Sequence, residues 1–153
     1  MPWLMTGALL IAAFVAQALW GWRWEWLAGL QTNELYKQLT GLALVLFFIM
    51  QWRLSVARMG SASPAARLLT LHRDQGALAP LLLYLHALSF GHAYTRVMSL
   101  AFLGLVALGL LQRPLAGLKS QRANTAWLVV HVTLAAALPF LIGYHAFNAF
   151  YYE

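Results

Sequence analysis

The chain has 153 residues, 62% of them hydrophobic and 9% charged, and no cysteine. A soluble domain carries about 25% charged residues, so this is the composition of a membrane protein, of a length that suits one domain. It excludes disulfides, thiolate metal centres and thioether-linked haem; the basic residues behind the net charge of +6 stand between apolar runs, where they read as topology signals and not as a nucleic-acid patch.

Five apolar stretches, approximately 3–22, 36–54, 67–91, 95–112 and 123–150, reach the about twenty residues that a helix needs to cross hydrocarbon. Lipid cannot satisfy open backbone groups, and no alternating pattern suggests a barrel. The expectation is an all-α integral membrane bundle of five transmembrane helices, a single domain over 1–153. The first stretch, MPWLMTGALLIAAFVAQALW, has no basic segment ahead of it and no clear cleavage site, so it reads as a retained helix. Around the following GWRWEWLAGLQTNEL stand Trp20, Trp22, Trp24 and Trp26, residues that favour the headgroup region, which predicts an interfacial belt or a short surface helix.

The next connection, SVARMGSASPAARL, is the clearest loop, with Gly60, Ser61, Ser63 and Pro64 together. SFGHAYT makes a short third connection, and QRPLAGLKSQR, with Pro114 and Gly117, a basic fourth. Arg53, Arg58, Arg67, Arg73, Arg113, Lys119 and Arg122 fall on the side of the N-terminus, against Arg23, Lys37 and Arg96 on the other. That bias places the N-terminus in the cytoplasm and the C-terminus outside, in a bacterial inner membrane. The third and fifth helices then run in the same direction.

Those two helices carry nearly the same pattern. HRDQGALAPLLLYLH, from His72 to His86, and HVTLAAALPFLIGYH, from His131 to His145, align without a gap at both histidines, at Ala77 and Ala136, and at Pro80 and Pro139. Fourteen residues of helix separate two imidazoles by about 21 Å and leave them on one face, about 40° from whole turns. Polar, titratable side chains at membrane depth are costly, so they face a cavity, a partner or a cofactor. Two such helices side by side offer imidazole pairs at two depths, the geometry for two stacked haems, each held by one histidine from either helix. Neutral imidazole is a standard axial ligand of haem iron, and noncovalent haem needs no cysteine. Gly76, Ala77, Ala79 and the alanines at 135, 136 and 137 offer room for a haem plane or serve ordinary helix packing, while Pro80 and Pro139 are expected to kink both helices in step.

At TGLALVLFFIMQWRLSVAR followed by RLLTLHRDQGALAPLLLYLHAL, with its Leu71-His72-Arg73 entry, Gly76 one turn on and His86 beyond, the chain resembles the second and third helices of the ferric reductase-like transmembrane domain. TAWLVVHVTLAAALPFLIGYH likewise resembles that family's fifth helix. The family includes ferric reductases, NADPH oxidases and the haem-binding membrane subunit of the periplasmic methionine sulfoxide reductase system. The resemblance implies two haem b groups, an inner one on His72 and His131 and an outer one on His86 and His145, and with them transmembrane electron transfer between redox protein partners. The chain departs from the family in having five predicted helices where six are usual and no flavin or nicotinamide domain. No Gly-rich phosphate-binding fingerprint occurs in it. The methionine sulfoxide reductase subunit is therefore the nearer analogue, an electron-transfer subunit rather than a complete reductase.

Secondary roles stay open. Arg67, Arg73 and Arg96 suit haem propionates or simple topology charges. His92 reads as a solvated loop histidine, against protonation in quinol oxidation or binding of a propionate; Asp74 as the partner of Arg73 in a local ion pair, against a proton relay; and Tyr84 and Tyr144 as aromatic packing beside the outer histidines, against packing on a haem. Two other classes stand beside the cytochrome reading: a quinol-oxidising subunit, and a non-redox membrane subunit or transporter using histidine for packing or metal binding. Four histidines at two depths cannot make one bare-metal site. Membrane lipid and redox proteins are the expected partners, with a quinone added on the quinol-oxidising reading, within an oligomer or larger complex.

Overall fold

A computed structural model describes residues 2–59, 65–117 and 119–152. It contains six helices: α1 (Pro2–Trp20), α2 (Glu25–Gln31), α3 (Glu34–Met59), α4 (Ala65–His86), α5 (Ala93–Gly117) and α6 (Gln121–Tyr151). Among the described residues there is no strand. The expected loop at Gly60, Ser61, Ser63 and Pro64 lies outside the described residues.

Four helices, α1, α3, α5 and α6, are long and apolar enough to cross a membrane. With 26 and 31 residues, α3 and α6 are about 39 and 46 Å long, more than a hydrocarbon core of about 30 Å. Leu35, Leu39, Leu42, Leu46 and Ile49 recur three or four residues apart on α3, and each is more than half exposed. A stripe of that kind suits lipid and not water. α4 is not among the four, because Arg67, His72, Arg73, Asp74 and Gln75 dilute its N-terminal half.

The helices start and stop where local chemistry dictates. Gly21, at φ +68°, takes the left-handed conformation that ends α1 and donates its N–H to Gln17 O at 3.0 Å. Asn33 opens α3 by accepting the Tyr36 N–H at 3.1 Å, and Ser120 opens α6 by accepting that of Ala123 at 3.3 Å. In the turn before α5, Gly91 has φ +74°, and a Cβ there would collide with Thr95 Oγ1. Pro80 and Pro139 lie inside α4 and α6, which continue through them; lacking an N–H, each leaves the carbonyl four residues earlier, on Gly76 and Ala135, without its helical donor.

The chain divides into two compact units, Met1–Ser89 and Phe90–Glu153. In the first, α4 packs against α1 and α3, and α2 touches α3 and α4. Contacts of Gln17 with Ala87 and Leu88, and of Thr40 with His86, show that α4 runs parallel to α1 and antiparallel to α3. In the second unit α5 and α6 form an antiparallel pair: Tyr94, at the start of α5, meets His145 and Asn148 near the end of α6, while Leu108 meets Trp127.

Candidate functional site

The four repeat histidines occupy the stripes that fold inward on their helices. His72 and His86 on α4 are half-buried, and between them on the same face Ala79 and Leu83 are buried. His131 and His145 on α6 are also half-buried, with the fully buried Leu138 between them. His92 is exposed, as expected of a loop residue, and its N–H donates to Thr95 Oγ1 at 2.9 Å.

Around His86 three elements send polar side chains to one place, the C-terminal end of α4. Gln17 of α1 donates its amide to Leu88 O at 3.1 Å, and Gln31 of α2 donates to Tyr84 O at 2.8 Å and Leu85 O at 3.1 Å. These carbonyls stand in the last turn of α4 and just past its end, where a helix runs out of internal donors. Both glutamines are buried, 3% and 4% exposed. Thr40 of α3 completes the collar, its Oγ1 lying 3.0 Å from His86 Nδ1. Next to it, a Cβ on Gly41 would stand 3.2 Å from His86 Cε1.

The second unit repeats the theme with different residues. Tyr94 OH lies 3.4 Å from His145 Nδ1, so this histidine also turns Nδ1 toward a hydroxyl of a neighbouring helix. Tyr94 in turn meets Tyr144 edge-on, with ring centroids 4.8 Å apart, the packing role expected for Tyr144. His131 stacks on Trp127, one helical turn earlier, at 5.3 Å and 20° between planes. The indole is itself anchored, donating Nε1–H to Leu108 O at 2.7 Å. Opposite His131 stands another glycine, Gly109, whose added Cβ would lie 3.8 Å from Cε1.

Gly76 borders open space, since a Cβ built there meets no atom within 4 Å. Ala77 and Ala79 are buried, whereas Ala136 and Ala137 face outward, so of the alanines at 135 to 137 only Ala135 is turned partly inward. Arg67 and Arg96 are exposed and Arg73 is half-buried. No ion pair joins Arg73 to Asp74 among the described residues; the pairs formed are Arg23–Glu25 and Lys37–Glu34. Neighbours one residue apart on a helix point about 100° from each other, which keeps this carboxylate and guanidinium separate. Among the described residues no three His, Cys, Asp or Glu side chains gather closely enough to hold a bare metal ion.

Beside the collar, an open groove of about 600 Å³ is lined by Ala13, Ala16, Gln17, Trp22, Arg23, Trp24 and Tyr84. The Gln17 amide nitrogen is committed to α4, and its buried Oε1 meets no hydrogen-bond partner among the described residues. Comparison with protein-family models, curated proteins and solved structures finds no match.

Proposed function

We propose that this chain is a five-span membrane cytochrome b that carries electrons between redox partners on the two faces of the membrane. His72 and His131 would hold an inner haem, and His86 and His145 an outer one. The less apolar α4 is the fifth span, and the N-terminus is cytoplasmic in a bacterial inner membrane. The observation that carries this reading is the seating of the outer histidines. His86 and His145 each turn Nδ1 toward a hydroxyl from a neighbouring helix, as haem- and metal-bound histidines do when they ligate through Nε2 and are oriented through the other nitrogen. The duplicated fourteen-residue spacing, the half-burial of all four rings and the resemblance to the ferric reductase-like domain point the same way.

A bound b-type haem supplies one-electron chemistry at its iron; the residues of this chain orient it, exclude water and set its potential through ligands and burial. Arg67 and Arg73 are available for propionates. Haem content of the purified chain, read by pyridine haemochrome with reduced-minus-oxidised spectra, tests the reading. Two b-type haems per chain are expected, and His86→Leu should retain one. A colourless protein made with ample haem rejects the cytochrome and favours a non-redox subunit.

A second reading, quinol oxidation, is favoured by the groove at Gln17. Its tryptophans suit a planar ring, and a buried amide oxygen without a partner costs about 1–3 kcal/mol until a donor such as a quinol hydroxyl reaches it. In membranes, Gln17→Leu should slow haem reduction by quinol while reduction by dithionite is unchanged. An unaltered quinol rate removes the groove from the electron route.

A further inference from the structure

Thr40 Oγ1 lies 2.8 Å from Tyr36 O and 3.2 Å from Lys37 O, as well as 3.0 Å from His86 Nδ1. A hydroxyl has one hydrogen, and carbonyl oxygens only accept. Two oxygens 2.8 Å apart attract each other only with a hydrogen between them, so the Thr40 hydrogen is committed to its own helix. Toward His86 the hydroxyl has lone pairs alone to offer, and Nδ1 brings the proton. A neutral imidazole protonated at Nδ1 keeps its lone pair on Nε2. Gly41 makes the other half of this seat: an added Cβ would stand 3.2 Å from His86 Cε1, so the ring edge lies close against bare α3 backbone.

We propose that the Thr40-Gly41 step of α3 is a seat that holds His86 as its Nδ1–H tautomer and so presents Nε2 as the electron-pair donor to haem iron. Thr40 is a positioning residue, acting through His86, and this inference rests on the dihaem reading above. Outer partners of metal-bound histidines fix ring and tautomer and raise the basicity of the ligating nitrogen; their loss typically lowers metal affinity about 10–100-fold. Removing the hydroxyl should therefore weaken one haem, raise its reduction potential because the ferric state loses donor strength, and leave the second haem unmoved.

The test uses the full chain, as wild type, Thr40→Val and Thr40→Ser. ¹⁵N chemical shifts of histidine in the haem-free protein, assigned by comparison with His86→Leu, report the tautomer, and haem titration with redox potentiometry reports the loaded state. The expected result is Nδ1–H at His86 in the wild type, a shift toward Nε2–H in Thr40→Val with about a 10–100-fold loss in affinity for one haem, and recovery of both properties in Thr40→Ser. A wild-type chain that binds two haems, paired with a Thr40→Val protein that keeps both tautomer and affinity, overturns the seat while leaving the dihaem reading intact. A wild-type chain that binds no haem overturns the dihaem reading and the role given to the seat along with it.

Discussion

At the scale of single residues, the two glycines that face histidine rings differ in what they tolerate. A methyl on Gly41 would stand 3.2 Å from His86 Cε1, closer than side chains normally pack, whereas one on Gly109 would stand 3.8 Å from His131 Cε1, an ordinary contact. Gly41→Ala should displace the His86 ring by a few tenths of an ångström and, on the proposed dihaem reading, alter the absorption band and potential of one haem; on the same reading Gly109→Ala should leave both haem spectra as they are. Gly91→Ala faces two penalties, a left-handed φ of +74° and a clash with Thr95 Oγ1, and should lower the thermal midpoint in detergent by the equivalent of at least about 1 kcal/mol. The histidines themselves were legible from spacing, because periodicity on a helix is a property of sequence. Trp127, four residues before His131, was findable by the same rule, and the Thr40-Gly41 pair stands out as a small polar step in an apolar run. Tyr94 had no such signal: its meeting with His145 depends on how α5 and α6 pair across 51 residues.

At the scale of elements, the end of α4 is held by side chains from three others, and Gln31 is the most economical probe of it. Gln31→Leu removes two hydrogen bonds to Tyr84 and Leu85 carbonyls and should cost about 1–2 kcal/mol, at the lower end if lipid-embedded groups find other partners. Loss of helical circular dichroism on titration with a denaturing detergent measures it. Each long apolar run of the sequence is a helix, with ends within five residues of those read from hydropathy; the largest misses are at the ends of α3, α4 and α5, and α5 continues through Pro114 to Gly117 where a turn was expected. Of the two readings of the Trp-rich connection, an interfacial belt or a short surface helix, α2 supplies a short helix that takes in Trp26 alone of the four tryptophans. What did not follow was the inward turn of Gln17 and Gln31. Both look like surface residues at helix ends, and they are buried because α4 ends beside them with carbonyls unmet.

At the scale of the whole molecule, the long apolar helices and their exposed aliphatic stripes suit a hydrocarbon surrounding. The protein should stay in the membrane pellet after alkaline carbonate washing, and its recovery in the supernatant would show that these stripes are covered some other way. The seven-to-three distribution of Arg and Lys expects a phosphatase fused after Tyr152 to be active, and one placed in the segment between α3 and α4 to be inactive.

The modest hydropathy of α4 bears finally on how the protein is made. Arg67, His72, Arg73, Asp74 and Gln75 sit in the helix that α1 and α3 flank, so α4 is poorly suited to leave the translocation channel for lipid alone. The residues that receive it, Gln17, Gln31 and Thr40, all precede it in the chain and are synthesised first. Biogenesis can therefore proceed by insertion of α1 and α3 and then recruitment of α4 into a berth already lined with donors and a hydroxyl. A reporter segment carrying α4 by itself should fail to insert, and the same segment behind α1 to α3 should succeed.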